Sequence, residues 1–180
     1  MELGLLQKDV AQRLGVCVAT IVNWETDQAM PEIQYMSNVI TFIGYNPLPP
    51  PTEKTFGVLL HARRRELGLT HKAAAKVLDV SPDTILYWEN EGQCPQPQFM
   101  PRIIAFLGCD PFLKADPTIA DLLKAKRRTL GITQAEAAHQ LTTTNTAYSR
   151  WELGGLVWKK KDHKAIAELL GLSMEEVRGD

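Results

Sequence analysis

The chain contains one unit three times over, and this repeat constrains its fold more than any other feature. Residues 2–48 align without a gap on residues 66–112, with 19 identities in 47 positions. Residues 56–89 align in the same way on residues 119–152, with 13 identities in 34 positions. Every copy carries a tryptophan followed by a glutamate, at Trp24-Glu25, Trp88-Glu89 and Trp151-Glu152. A period above about 50 residues exceeds that of the common solenoids, so the repeat predicts tandem domains.

Two proline-rich segments divide the copies. Residues 46–53 read NPLPPPTE, and residues 109–118 read CDPFLKADPT. Because proline cannot continue a helix and stiffens an extended chain, both segments are predicted to be extended spacers. The predicted domains span residues 1–48, 54–112 and 117–180. They are called repeats one, two and three below.

The composition argues against several functions. The 180 residues are 44% hydrophobic and 23% charged, enough to bury ordinary cores. No apolar run approaches the roughly 18 residues of a membrane span. The three cysteines form no Cys-x-x-Cys, which favours a reducing, cytoplasmic setting over disulfides or zinc. With no glycine-rich phosphate loop and no spacing that suggests a catalytic triad, we expect neither an enzyme nor a bound cofactor or metal.

Helical periodicity predicts the first helix of a complete repeat. In repeat two, apolar side chains recur at helical spacing over residues 56–67, at Val58, Leu59, Ala62 and Leu67. These four residues are predicted to form the buried face of that helix.

Capping signals and periodicity predict the helices that follow. A small polar N-cap, or a Ser/Thr-x-x-Glu capping box, accepts hydrogen bonds from the free N–H groups of a first turn. The N-caps of repeat two are Thr70 and Ser81, its fourth helix covers residues 98–108, and the capping boxes of repeat three are Thr133-x-x-Glu136 and Ser173-x-x-Glu176. The last box predicts a short extra helix.

Repeat one is predicted to lack its first helix. Only two residues precede its Leu-Gly-Leu, whereas residues 56–66 precede the equivalent text of repeat two. Apolar residues such as Val10, Leu14, Trp24 and Phe42 would then lack a cover. Either the chain was shortened at its start, or another segment, a second copy of this chain or a different chain covers them.

Two short helices joined by a tight turn, as in residues 8–25, form a helix-turn-helix pattern. The turn position holds Gly15, Asp79 or Thr142 in successive repeats; glycine suits a left-handed turn, aspartate tolerates it, and β-branched threonine fits it poorly. The apolar plug between the two helices is Ile21, Ile85 or Tyr148. The predicted fold is all-α: three tandem small helix-turn-helix bundles of four to five helices, the first without its N-terminal helix.

These residues resemble the Cro/C1-type (XRE-like, lambda-repressor-like) helix-turn-helix family of phage and bacterial repressors. The matching text is RRxLGxTxxxAAxxL…WE in repeats two and three, and LGLLQKDVAQRLGV…WE in repeat one. The segments FMPRIIAFLGCDP and YMSNVITFIGYNP look like a bacterial subgroup that carries such units in tandem. The resemblance implies a cytoplasmic, sequence-specific DNA-binding regulator of transcription whose partner is double-stranded DNA.

The Trp-Glu pair is predicted to be structural. The tryptophans could stack on bases, but we expect them to pack inward. Burial of a large aromatic ring contributes more free energy than leaving it exposed for stacking. In the family the glutamate pairs with an arginine of the first helix. The resemblance therefore implies the pairs Arg64–Glu89 and Arg127–Glu152, whereas Glu25 has no such arginine.

If the chain binds DNA, it reads bases from the start of the third helix of a repeat, in the major groove. Repeat three is the best suited, because Asn pairs with adenine, Arg pairs with guanine and Thr contacts the thymine methyl group. The candidate base-reading residues are Asn145, Thr146, Arg150, Asn23, Thr20 and Tyr87. The resemblance places phosphate contacts at the start of the second helix, and a lysine run adds to them. The candidate phosphate contacts are Gln7, His71, Gln134, Lys159, Lys160 and Lys161.

The charge is unevenly distributed. Residues 1–50 carry a net charge of −3, and residues 119–164 carry +5. Basic runs at residues 124–128 and 158–164 predict sequence-independent attraction to a polyanion, so repeat three is the expected DNA surface. The alternative is a protein-interaction scaffold or antitoxin-like partner that uses this fold without reading DNA. Even where repeat three binds DNA, repeats one and two are candidates for interaction or spacing modules.

Overall fold

The computed structural model describes residues 4–47, 55–154 and 160–178. Within these residues all regular structure is helical and no strand occurs, which confirms the all-α prediction. The chain divides into two compact units, Met1–Gln93 and Cys94–Asp180. The division into three domains stays a prediction.

The first compact unit holds repeat one and most of repeat two. Its helices are α1 Gln7–Leu14, α2 Val18–Glu25, α3 Ile33–Ile43, α4 Phe56–Glu66, α5 His71–Leu78 and α6 Pro82–Asn90. Helix α4 is the first helix of repeat two, and α1 is equivalent to its second helix, α5. No helix precedes α1 within the described residues 4–47, and the absence of a first helix from repeat one stays a prediction.

The second compact unit holds the fourth helix of repeat two and all of repeat three. A short 3₁₀ turn at Pro97–Phe99 leads into the first of its α-helices. These are α7 Met100–Leu107, α8 Ile119–Leu130, α9 Gln134–Gln140, α10 Asn145–Glu152, α11 Lys160–Leu170 and α12 Met174–Arg178. Helices α9 and α10 form the helix-turn-helix of repeat three.

The predicted N-caps are confirmed. The Thr70 hydroxyl accepts a hydrogen bond from the backbone N–H of Ala73 at 3.2 Å and begins α5. The Ser81 hydroxyl begins α6 in the same way, with the N–H of Thr84 at 3.1 Å. Such caps satisfy N–H groups that have no partner within the helix.

Both predicted capping boxes are also present. In the first, the Thr133 N–H donates to the Glu136 carboxylate at 2.7 Å. In the second, the Ser173 N–H donates to the Glu176 carboxylate at 2.7 Å and begins the short helix α12. These hydrogen bonds hold the pKa of both glutamates below its usual range.

The turn position of the helix-turn-helix is left-handed in all three repeats. Gly15 has a φ of 71°, Asp79 of 56° and Thr142 of 52°. The poorly suited threonine is therefore held in the same backbone conformation as the glycine. Its neighbours impose this, since the N–H of Thr142 donates to the His139 carbonyl and the N–H of Thr143 to the Ala138 carbonyl.

The predicted buried face of α4 is wrong. The buried residues are Phe56, Gly57, Leu60 and Arg64, whereas the apolar residues named from the sequence are half-buried or exposed. Residues four apart lie on one face of a helix, so the buried stripe runs through an arginine. The sequence prediction followed a neighbouring set of apolar residues and did not include the stripe of Phe56 and Leu60, whose next member is an arginine.

The second proline-rich segment is a folded turn, so the prediction of an extended spacer is wrong for residues 109–118. The Asp110 carboxylate accepts hydrogen bonds from Arg128 Nε at 3.1 and 2.8 Å and from the Phe112 N–H at 2.9 Å. The Arg128 guanidinium also lies 5.5 Å from the centre of the Phe112 ring. These contacts fold the segment against α8. Residues 48–53 of the first segment lie outside the described residues.

Two equivalent glycines mark a contact that recurs along the chain. Gly68, after α4, lies against α3, where an added Cβ would come within 3.1 Å of the Ile33 carbonyl oxygen. Gly131, after α8, lies against α7, where an added Cβ would come within 2.8 Å of Pro101. Both glycines also have a positive φ. In each compact unit the last helix of one repeat thus packs on the first helix of the next.

Candidate nucleic-acid interface

A buried ion pair anchors the helix-turn-helix of repeat three. Arg127 donates from Nε to Glu152 Oε1 at 2.6 Å and from Nη2 to Oε2 at 3.1 Å. Its Nη1 donates to the Ile132 carbonyl at 3.4 Å. Gln134 Nε2 donates to the same glutamate at 2.7 Å. The buried carboxylate thus ties the first helix of the repeat to its second and third.

Repeat two has the same arrangement with a histidine in place of the glutamine. Arg64 donates from Nε and Nη2 to the two oxygens of Glu89, both at 2.7 Å, and from Nη1 to the Leu69 carbonyl at 3.0 Å. His71 Nε2 lies 3.2 Å from Glu89 Oε2. The Arg64 and Glu89 side chains are each 4% exposed.

In repeat one the glutamate has a different environment. Gln7 Nε2 donates to Glu25 Oε2 at 2.7 Å, but Glu25 is exposed. No arginine pairs with it among the described residues, as the sequence implied. Trp24 is half-buried beside Tyr35, with ring centres 5.8 Å apart.

Gln7, His71 and Gln134, the candidate phosphate contacts at the start of the second helix, therefore each contact the Trp-Glu glutamate of their own repeat. Sequence reasoning missed this link, although each residue lies 18 positions before its glutamate in every repeat. An amide NH₂ has two donor hydrogens. One hydrogen of Gln7 or Gln134 binds the glutamate, so each amide keeps a second donor hydrogen. If the Nε2 of His71 carries the hydrogen shared with Glu89, its Nδ1 donates only when the ring is charged.

The exposed face of α10 holds the strongest candidates for reading bases. The Thr144 hydroxyl caps this helix by accepting from the Ala147 N–H at 3.2 Å. Asn145, Thr146 and Arg150 are all exposed. The opposite face is buried through Tyr148 and Trp151.

The same positions of α2 and α6 are less suited to reading bases. In α6, Asp83 and Tyr87 are exposed at these positions, and the acid would face phosphates. In α2, Asn23 is exposed, but Thr20 is half-buried with its hydroxyl 3.1 Å from Cys17 Sγ. Thr20 and Asn23 line a cleft of about 480 Å³ beside Trp24.

The structure removes part of the predicted basic surface. In the run 124–128, Arg127 pairs with Glu152 and Arg128 with Asp110, so both have structural roles. Lys164 is exposed. Three candidate phosphate contacts belong to the same lysine run. Lys159 lies outside the described residues, as do the side chains of Lys160 and Lys161.

Comparison with known protein families identifies the domain type. The helix-turn-helix family model matches residues 60–113 and 123–177, more than half of the chain. The chain therefore belongs to the helix-turn-helix family of the Cro/C1 type, a family of DNA-binding regulators that is generally non-enzymatic. The two matches cover repeats two and three. No curated protein and no solved structure gave a significant match.

Among the described residues, no helix is both long and apolar enough to cross a membrane. In the same residues, no three His, Cys, Asp or Glu side chains are grouped so that they could hold a metal ion.

Proposed function

We propose that this protein is a sequence-specific DNA-binding regulator of transcription that reads bases with α10. The observation that carries the proposal is the exposed face of α10, which presents Asn145, Thr146 and Arg150 beside a buried anchor. In a helix-turn-helix the N-terminal part of the second of these helices contacts base edges in the major groove. Asparagine and arginine form two-point hydrogen bonds with adenine and guanine, and threonine contacts a thymine methyl group.

Contacts to the DNA backbone would hold α10 in register. Gln134, oriented by Glu152, is the proposed phosphate contact of repeat three. The local net charge of +5 over residues 119–164 would attract any duplex and release counterions on binding. Such contacts position a protein on DNA, and base contacts supply its specificity.

We propose interaction or spacing roles for repeats one and two. Their reading positions hold apolar Val18 and Ala19 in α2, and Pro82 and Asp83 in α6. An acid at the start of a recognition helix would be repelled by phosphates. This difference favours repeat three as the reader and leaves the other two repeats for protein contacts.

The test is binding to a site selected from random DNA with the full chain. Arg150→Ala is expected to weaken binding to that site by about 1–3 kcal/mol and to relax discrimination at one base pair. Joint neutralisation of Lys159, Lys160 and Lys161 should weaken binding to all sequences alike and flatten the salt dependence. Asp83→Asn is the control and should leave discrimination unchanged.

Two results would contradict the proposal. If Arg150→Ala discriminates like the wild type and changes in α2 or α6 abolish binding, then Thr20, Asn23 and Tyr87 become the base-reading candidates. If the protein shifts no duplex at low salt, the alternative of an interaction scaffold that does not bind DNA is favoured.

A further inference from the structure

The apolar plug of repeat three carries a polar group that the plugs of the other repeats lack. Ile21 and Ile85 fill the space between the two helices in repeats one and two, whereas repeat three has Tyr148. Tyr148 is fully buried, at 0% exposure, and its ring centre lies 6.0 Å from that of Trp151. Its hydroxyl has no hydrogen-bond partner among the described residues. Such a group costs stability, because burial removes it from water and nothing replaces the lost hydrogen bonds.

This hydroxyl lies beside the buried carboxylate of repeat three. Tyr148 and Glu152 are four residues apart in α10, so they share one face of the helix. Burial, and then the negative charge of Glu152, raise the pKa of the Tyr148 hydroxyl. The hydroxyl therefore keeps its proton at neutral pH and can donate a hydrogen bond. It is close enough to Glu152 to be affected by the charge, yet it makes no hydrogen bond with the carboxylate.

Glu152 depends on Gln134 for one of its two oxygens. Arg127 donates to Oε1 at 2.6 Å, but its bond to Oε2 is longer, at 3.1 Å. Gln134 Nε2 donates to the same Oε2 at 2.7 Å. In repeat two the arginine donates to both oxygens of Glu89 at 2.7 Å, and His71, the residue equivalent to Gln134, lies 3.2 Å away. If Gln134 turns away, Oε2 of Glu152 keeps only the longer bond.

The proposed phosphate contact gives Gln134 a second partner. Both N–H bonds of the amide lie in one plane, so the bond to Glu152 fixes the direction of the other N–H. A phosphate oxygen that lies off this direction is reached only when the amide turns away from Glu152. A buried carboxylate that loses a donor is destabilised unless another donor replaces it.

We propose that Tyr148 is a positioning residue whose hydroxyl takes the place of Gln134 at Glu152 when Gln134 turns to a DNA phosphate. The exchange keeps the number of donors to the carboxylate constant, so the pair of Arg127 and Glu152 stays intact while Gln134 is released. Repeats one and two have isoleucine at the position of Tyr148 and lack this donor. The inference rests on the proposed function for the phosphate contact, but the exchange at Glu152 can be measured without DNA.

The experiment without DNA is a double-mutant cycle on the full 180-residue protein, measured by thermal unfolding. Tyr148→Phe removes the hydroxyl and keeps the ring. Gln134→Met removes the donor and keeps the length of the side chain, which hinders water from taking its place. The control is Tyr45→Phe, which removes the hydroxyl of a tyrosine that is 66% exposed.

We expect the effect of Tyr148→Phe on the melting temperature to depend on the residue at position 134. With Gln134 present, the variant should melt at the wild-type temperature or above it, because it loses a buried hydroxyl that has no partner. In the Gln134→Met background it should lower the melting temperature by about 2–4 °C, because the hydroxyl then donates to Glu152. Tyr45→Phe should change the melting temperature little in either background.

The second measurement is binding to the site selected from random DNA. With Gln134 present, Tyr148→Phe should weaken binding by about three- to tenfold, because release of Gln134 then leaves Glu152 short of a donor. In the Gln134→Met background it should change binding by less than about twofold, since no donor is left to release. A role of Tyr148 in packing alone would give the same change in both backgrounds.

Three results would overturn the inference. The first is a change of melting temperature by Tyr148→Phe that is equal in the two backgrounds. The second is wild-type DNA binding by Tyr148→Phe while Gln134→Met weakens binding. The third is wild-type DNA binding by Gln134→Met, because no phosphate contact would then need the exchange. If the protein binds no duplex at all, the proposed function fails, whereas the unfolding cycle still decides whether Tyr148 replaces Gln134 at Glu152.

Discussion

Repeats one and two carry the same Trp-Glu pair at equivalent positions, but only one of the two pairs is enclosed. Glu89 accepts two hydrogen bonds from Arg64 and is 4% exposed, whereas Glu25 is exposed and hydrogen-bonds to Gln7. Trp88 is enclosed by α4, and Trp24 is half-buried. The Trp-Glu pair therefore does not bury itself. A helix that precedes the pair by about 25 residues supplies its environment.

The largest expected effect is the loss of an arginine from an enclosed pair. Arg64→Ala should destabilise the protein by about 3–5 kcal/mol, because it leaves a buried carboxylate without its partner. Glu25→Ala should change stability by less than about 1 kcal/mol, as is typical of an exposed charge. The measurement is urea unfolding followed by circular dichroism. Equal losses for the two variants would show that the repeats do not differ as described.

Repeat three provides a graded version of this test. Arg127 makes the same ion pair, but its side chain is 15% exposed where that of Arg64 is 4%. Arg127→Ala should therefore be strongly destabilising but less so than Arg64→Ala. Arg63→Ala is the matched control, because that side chain is 36% exposed and should change the midpoint little. A larger loss of stability for Arg127→Ala than for Arg64→Ala would contradict burial as the cause.

A smaller effect is expected at Gly57, where α4 lies close to the backbone of α6. Gly57→Ala would place a Cβ 2.5 Å from the Trp88 carbonyl oxygen, so the helix must move. We expect a loss of about 1–3 kcal/mol, as for other overpacked sites. Repeat three already carries alanine at this position, and Ala120→Gly should cost about 1 kcal/mol through helix propensity alone. Thermal melts of both variants check this. A stabilising Gly57→Ala would show that the two helices are not in close contact.

The smallest expected effect is a change of stability with pH that arises from Asp121, in the first turn of α8. Helix α4 has no equivalent carboxylate. Hydrogen bonds from Thr118, with a contribution from Lys114, lower the pKa of Asp121 to about 2. A carboxyl whose pKa is lowered by folding stabilises the protein above its unfolded pKa, near 4, and loses that contribution as pH falls toward 2. Asp121→Asn should therefore lower the melting temperature at pH 7 and have little effect near pH 2.

The control for the pH experiment is Asp116→Asn, an exposed aspartate five residues earlier. Repeat two has Val58 at the position of Asp121, so α4 has no equivalent capping box. The melting temperature of each variant is to be followed from pH 2 to pH 7. A difference between wild type and Asp121→Asn that is the same at every pH would contradict the assigned cause.

Much of the fold could be predicted from short-range signals. Thr70 and Ser81 begin helices where they were placed, because a cap involves residues only three apart. Periodicity alone misplaced the buried face of α4, since Arg64 is buried by a partner 25 residues away. The folded turn at Asp110 was missed for the same reason, because Arg128 holds it from 18 residues away.

The candidate interface also contains residues that could be predicted from the sequence and a contact that could not. Asn145, Thr146 and Arg150 were predicted from their place at the start of the third helix of the repeat, and the structure places all three in exposed positions on α10. The contact between Gln134 and Glu152 did not follow from any local signal. It could have been inferred only from the constant separation of 18 residues between the two positions in each repeat.

The repeat can be read from the sequence alone, and so can the helical class and the caps, because these depend on residues that are close together in the chain. The resemblance also implied the pairs Arg64–Glu89 and Arg127–Glu152. The burial of these charges, and the pairing of Arg128 with Asp110, follow only from the folded chain. The same reasoning explains why Glu25 and Glu89 differ. A charged side chain is buried only where folding brings an opposite charge and hydrogen-bond partners to it, since desolvation otherwise keeps it in water.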